Sequence, residues 1–183
     1  LQVYFLDNDT YFERKAMFMD PETNEHYDDN DERIVFYSKG VLETVKKLGW
    51  VPDIIHVHGW ISSLVPLYIR VVQKDNPVFS DAKIITSLYN DEFSENLNSN
   101  LIKKLKFDGI KEKELEHYKA PNYVNMMKSA IDHSDGLIMG SEKINSELEK
   151  YAKESKKLML EFQSDDNYIK AYNEFYDRFL SDE

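Results

Sequence analysis

The stretch that most constrains this chain runs Pro52-Asp53-Ile54-Ile55-His56-Val57-His58-Gly59-Trp60-Ile61-Ser62-Ser63-Leu64-Val65-Pro66. A β-branched run stops at a glycine and passes at once into an apolar-periodic segment. Pro66 falls in the first turn of that segment, where its missing N–H costs little. The pattern is a buried strand, a tight turn and a helix with no linker between them. The polar residues sit at the turn, where an α/β protein places its chemistry.

The rest of the chain repeats this alternation. Residues 1–6 read as a strand that ends at Asp7-Asn8-Asp9, with Tyr11, Phe12 and Arg14 close behind. Residues 20–31 are acidic, aperiodic and hold Pro21, which predicts a solvated loop. A helix follows over 31–48, with Asn30 suited to the N-cap and Asp31 and Glu32 to the positive end of the dipole. Ile34, Tyr37, Val41, Val45 and Leu48 form its core stripe, Lys46 and Lys47 its last turn and Gly49 its stop. Strands are predicted over 53–58, 83–89, 135–139 and 158–162, and helices over 61–73, 123–133 and 165–180. Ser62 or Ser63 caps the 61–73 helix, and residues 74–81 form a loop. A further helix starts at Ser141 and carries Ile144, Leu148, Tyr151 and Ala152. Residues 96–119 hold one or two short helices, and Met126 and Met127 fill core. In the last helix Tyr168, Tyr172, Phe175, Tyr176 and Phe179 recur at helical spacing and form a packing face.

This alternation predicts an α/β fold, a Rossmann-like parallel sheet with helices on both faces. At 183 residues the chain suffices for a single domain with its own core. Ligands bind beyond the carboxyl ends of such strands. Three ends converge there: His58-Gly59-Trp60, Tyr89-Asn90-Asp91 and Gly140-Ser141. The acidic loop before the first long helix reaches toward the same rim.

Charge and cysteine content narrow the function classes. A net charge of -11 argues against nucleic acid or an anionic membrane as partner, since phosphate binding needs a basic surface. With no cysteine, there is no disulfide framework and no thiol chemistry, which fits a cytoplasmic, reducing setting. No apolar run approaches the roughly 18 residues of a membrane span. The chain opens on Leu1 inside an apolar run, which points to sequence upstream.

His56 and His58 are two apart on a strand, so both side chains leave one face. A zinc pair is conceivable, but a third or fourth ligand is needed, and His26, His117 and His133 show no ligand spacing. A hydrogen-bonded core histidine is the simpler reading of His56, and His58, at the strand's exit, is the better candidate for function. Gly59 suits a turn that lets backbone or ligand approach closely, and the N–H groups after it could hold an anion. An ordinary strand-to-helix turn would look the same. No G-x-G-x-x-G, Walker or nucleophile-elbow sequence occurs.

At these residues the chain resembles the amino-terminal half of bacterial glycogen synthases and plant starch synthases, GT-B glucosyltransferases. Val3-Tyr4-Phe5-Leu6-Asp7 with Tyr11, Phe12 and Arg14 resembles the family's strand and loop. Asp29-Asn30-Asp31-Glu32-Arg33 resembles its Asp-Asn-x-x-Arg helix start. Trp50-x-Pro52-Asp53-Ile54-Ile55-His56-Val57-His58-Gly59-Trp60 resembles its Pro-Asp-x-x-His-x-His-Asp-Trp segment, and Asp135-Gly136-Leu137-Ile138 with Ser141 a later strand and turn. The likeness covers roughly residues 1–150. It implies transfer of glucose from ADP-glucose to an α-1,4-glucan, with His58 near the transferred sugar. Asp29, Asn30 and Arg33 are implied on the acceptor side, Trp60 among the substrate-binding residues and Asn90 along the cleft. No cofactor or metal is implied.

The departures are specific. Gly59 stands where the family has Asp, Tyr89 where its Thr-x-His-Asn has His, and the Gln-Gly after it is missing. The Lys-x-Gly-Gly phosphate loop lies upstream of Leu1, and the carboxyl-terminal half that grips the sugar nucleotide is absent. The last helix reads as a natural terminus. The expectation is therefore that these residues alone are inactive and that a partner chain or self-association completes the cleft. A non-catalytic glucan-binding homologue and an α/β domain for another small ligand are the other readings.

Overall fold

The computed structural model of the chain describes residues 2–180. Its sheet has four strands, all parallel: β1 (Ile54–His58), β2 (Lys83–Leu88), β3 (Gly136–Met139) and β4 (Leu158–Leu160), in spatial order β1-β2-β3-β4. The register places Ile54 beside Lys83 and His58 beside Ser87, then Ile85 beside Gly136. Sequential order in a parallel sheet has a consequence. Each crossover is right-handed, so the crossover helices all fall on one face. The other face needs a different cover.

The side chains show this division. Val57, Ile84, Leu88, Leu137 and Met139 join one large core with Ile34 and Leu42 of α2 (Asn30–Lys47), Leu64 and Leu67 of α3 (Leu64–Leu67), and Met126, Met127 and Ile131 of α5 (Tyr123–Asp132). Leu148 and Ala152 of α6 (Ser146–Glu154) complete it. The alternate residues, Ile85 and Ile138, meet only Phe175 of α7 (Tyr168–Leu180) at full burial, with Ile54, Leu158, Leu160, Tyr172, Tyr176 and Phe179 around them. The aromatic stripe of α7 is thus a packing face, as its spacing predicts. Gly136 lets it approach: a Cβ there would lie 2.4 Å from Phe179 Cζ and 3.3 Å from Phe175 Cζ.

Four expectations are corrected. Residues 2–7 form no strand; Val3 and Phe5 are 64% and 90% exposed, and only Leu6 tucks in, against Gly40 of α2. Leu1 lies outside the described residues. The polar run after them favours local structure instead: Asn8 Oδ1 accepts the Tyr11 N–H and caps the short helix α1 (Asp9–Phe12). Second, the helix over 61–73 is three pieces, a 3₁₀ turn Trp60–Ser62, α3, and a π turn Tyr68–Val72. Pro66 cannot donate to the Ser62 carbonyl, which breaks a continuous ladder. Ser62 Oγ points back to the carbonyls of His58 and Gly59, at 2.8 and 3.0 Å.

Third, Asn30 is not the N-cap of α2 but its first residue; Asp29 precedes it and makes no capping bond. Their side chains are drawn to arginines instead. Fourth, α6 is capped by Asn145, whose Oδ1 accepts from the N–H groups of Glu147 and Leu148, and not by Ser141. Residues 161–162 also lie beyond the last strand, and residues 96–119 hold α4 (Leu101–Phe107) and two 3₁₀ turns.

Candidate functional site

The three strand exits meet as the alternation predicts. His58 and Ser87 are register partners. The Asn90 N–H donates to Ser141 Oγ at 3.1 Å, and the Trp60 N–H donates to Asp91 Oδ2 at 3.2 Å. Loops after β1, β2 and β3 are therefore tied into one rim.

The polar side chains of the rim stand on the α7 face of the sheet. His56 and His58 leave that face together, with ring centroids 3.9 Å apart. His56 is hydrogen-bonded on both nitrogens: Nδ1 to the Tyr176 hydroxyl and Nε2 to Ser87 Oγ, each at 2.7 Å. Burial, and secondarily the neighbouring His58, pulls its pKa down to about 3. It is a neutral structural histidine. His58 is more exposed and lies at the rim, yet burial of its packed edge also lowers its pKa. Its Nδ1 lies 2.7 Å from the Tyr89 hydroxyl, whose own pKa is raised by burial. With Nδ1 taken by that hydroxyl, Nε2 is the ring nitrogen of neutral His58 that remains for a ligand, as donor or acceptor according to the tautomer. Tyr89 fits because Gly140 has no side chain: a Cβ there would lie 2.4 Å from the Tyr89 ring.

The other predicted residues form a second cluster around the start of α2. Arg33 is 2% exposed; its Nε donates to the Tyr11 carbonyl at 2.9 Å and its Nη1 to Asn30 Oδ1 at 2.7 Å. Asn30 Nδ2 in turn donates to the Phe18 carbonyl at 2.9 Å. Asp29 forms a two-pronged ion pair with Arg14, which also lies over the Tyr27 ring. Burial pushes the Asp29 carboxyl up, but the Arg14 pair outweighs it and holds the pKa below the usual range. Asp31 is buried against Lys104 at 2.5 Å, and there burial wins and raises the carboxyl.

Trp60 joins the two clusters. It is 4% exposed, with its ring 4.6 Å from Phe18 and 4.9 Å from Phe93, which also meets His26 of the acidic loop. That loop does reach the rim, through His26. Trp60 is a wall behind the site, since its ring is enclosed. Asn90 is exposed on the rim. Among the described residues, no group of three or more His, Asp or Glu gathers as a metal site. No described helix is long and apolar enough to cross a membrane.

Sequence reasoning missed three residues that shape this site. Tyr176 comes from a helix far along the chain, and no local pattern announces its bond to His56. Tyr123 places its hydroxyl 2.8 Å from Asp91 Oδ1 and 2.7 Å from the Tyr89 carbonyl. Asp91 itself had a signal, an acid two residues past Ser-Leu-Tyr at a strand exit.

Comparison with known proteins gives the family. The model of the starch synthase catalytic domain matches residues 1–160. The glycogen synthase of Chlorobium limicola is 36% identical over 137 residues, 75% of this chain and 27% of that protein. The glycogen synthase of Clostridium perfringens is 30% identical over 148 residues, 79% of this chain and 29% of that protein. The chain thus spans under a third of the length of these curated relatives. Its fold is similar to the catalytic domain of starch synthase IV from Arabidopsis thaliana bound to ADP and acarbose. That likeness has a TM-score of 0.59 at 19% identity, over 75% of this chain and 30% of that one. The α7 helix lies beyond the matched 160 residues. By its motifs, its parallel sheet and these matches, the chain belongs to the glycogen and starch synthase family of glycosyltransferases.

Proposed function

We propose that the chain forms the acceptor-side part of a glucosyltransferase that moves glucose from ADP-glucose to the end of an α-1,4-glucan. The observation that carries this reading is the rim itself. A neutral histidine stands at the exit of β1, on the segment most like the family's, beside the exits of β2 and β3. The ligands in the starch synthase IV structure, ADP and acarbose, are of the matching chemical classes. A sugar hydroxyl both donates and accepts, and a neutral imidazole nitrogen suits it in either tautomer. His58 contacts the transferred sugar and Asn90 lines the cleft. Asp29, Asn30 and Arg33 shape the acceptor side from behind with Trp60, because their polar groups are taken up by protein partners.

Such transfer depends on positioning and on stabilising a departing diphosphate. The rim described offers no cluster of cations for that diphosphate. Residues 1–183 by themselves are inactive on this reading, and a second half, wherever it is encoded, supplies the phosphate grip. One experiment combines this chain with the separately produced carboxyl-terminal half of the C. limicola enzyme and follows labelled glucose from ADP-glucose into glycogen. Transfer that needs both parts and is lost in His58→Ala supports the reading. No transfer with either part or both contradicts it.

A second reading is a glucan-binding homologue without activity. Gly59 and Tyr89 favour it, because His58 Nδ1 is engaged by a phenol where the family pattern has an imidazole. Glycogen retardation in affinity electrophoresis without reconstituted transfer would select this reading.

A further inference from the structure

The turn between β1 and the 3₁₀ segment has an unusual composition. Gly59 sits at φ +68°, ψ 174°, a conformation essentially reserved for glycine. A Cβ on it would lie 2.8 Å from Asp91 Oδ2. The space that a side chain at position 59 would enter is already filled by a carboxylate from another loop. That carboxylate is held on both sides. Oδ2 accepts the Trp60 N–H at 3.2 Å, and Oδ1 faces the Tyr123 hydroxyl at 2.8 Å. The single Tyr123 proton is shared with the Tyr89 carbonyl, so the same hydroxyl fixes the loop that carries Asp91. Tyr123 opens α5 and is buried.

We propose that Asp91 is a positioning residue for the His58-Gly59-Trp60 turn, and that position 59 is glycine because Asp91 occupies its side-chain space. The pattern that this turn matches has an acid just before the tryptophan. Here the acid arrives from the exit of β2. It accepts the Trp60 N–H from there. Both oxygens are turned to protein partners, so Asp91 acts by fixing the backbone on either side of Gly59. It ties the exit of β1 to the exit of β2 and to α5 at one point. His58 is adjacent to that point in sequence, so the aim of its imidazole depends on it. The placement at the turn stands on geometry alone; any consequence for sugar binding rests on the function proposed above.

The test uses the intact chain and the variants Asp91→Asn, Asp91→Gly, Gly59→Asp and the exchanged pair Gly59→Asp with Asp91→Gly. Stability is read by urea unfolding, and the Trp60 amide by its ¹H–¹⁵N resonance. Gly59→Asp should lower the folded-to-unfolded ratio about tenfold more in the native background than in the Asp91→Gly background, since it meets the carboxylate only in the former. In Asp91→Asn, nearly isosteric and able to fold, the Trp60 amide should move upfield, because a neutral amide oxygen accepts more weakly than a carboxylate. A purely structural loss would not move this one resonance alone. Additive effects at positions 59 and 91, or a Trp60 amide unmoved in Asp91→Asn, would overturn the proposal. Coupling with unaltered glycogen retardation would keep Asp91 at the turn and count against sugar binding at the rim, so the two failures are separable.

Discussion

The two faces of the sheet are built on opposite principles. One is covered by α2, α3, α5 and α6 and is almost wholly apolar: Val57, Ile84, Leu88, Leu137 and Met139 face it, and the one buried hydroxyl among them, on Thr86, is paired with Ser134 Oγ. The other is covered by α7 and grades across the sheet. Toward β3 and β4 it is apolar, with Ile138, Leu158 and Leu160 beside Phe175 and Phe179 packed over Gly136. Toward β1 and the carboxyl end of β2 it becomes a hydrogen-bonded set of His56, Ser87, Tyr176, His58 and Tyr89. The first face supplies the hydrophobic driving force. The second gives up apolar area to hold two neutral imidazoles beside a rim. The lesson is that stability and site are separated by a single sheet's thickness, because side chains alternate sides along each strand.

The sharpest way to break this comparison is to delete packing from each face. Leu64→Ala, in the large core, should cost about 4 kcal/mol, and Phe175→Ala about 3 kcal/mol or less, because its small cluster has more freedom to collapse. The character of the loss should differ more than its size. Hydrogen exchange should show global weakening for Leu64→Ala, and for Phe175→Ala faster exchange concentrated in α7 and the strand amides beneath it. Uniform weakening by both would mean that the faces are not distinct units.

Acid should strain the polar face through His56. Burial holds the His56 pKa at about 3 against 6.5 for a solvated imidazole. A depressed histidine pKa gives stability that is complete above 6.5 and falls as pH drops toward 3, because the unfolded chain takes up the proton first. The slope from this group is at most about 1.4 kcal/mol per pH unit. Urea midpoints at stepped pH should therefore fall less steeply below 6.5 in His56→Gln than in the native chain. Parallel curves would place His56 in solvent. The smallest effect should come from Tyr176→Phe, which removes the partner of His56 Nδ1 and costs about 1 kcal/mol by chemical denaturation.

Much of this was legible beforehand, for reasons that particular residues make plain. The β1 run into Gly59 and the aromatic repeat of α7 are periodic and lie where the period puts them. The expected α2 stripe is right only at Ile34 and Val45: the face turned inward runs Ile34, Ser38 and Leu42, and Leu48 stays 47% exposed past the helix end. The convergence of the strand exits followed from parallel order alone. Residues 2–7 misled because β-propensity needs a neighbouring strand to be realised, and the segment has none beside it. Asn30 and Ser141 misled because capping competes with tertiary partners: Arg33 claims the first, and the second accepts from Asn90. Within the site, His58 and Asn90 lie on the rim, whereas Trp60 and Arg33 are buried behind it. The bonds from Tyr176 and Tyr123 span separations of 120 and 32 residues, which no local pattern encodes.

The central claim is that the His58 rim is where this chain meets sugar. The direct measurement is a titration of the isotope-labelled protein with a maltooligosaccharide, following the His58 imidazole and the Asn90 and Trp60 amides. The account predicts saturable shifts at these three positions, abolished by His58→Ala for the two amides, while the buried His56 ring stays nearly fixed. Saturable shifts that leave all three untouched, or none anywhere at concentrations that retard glycogen-binding proteins, would contradict it.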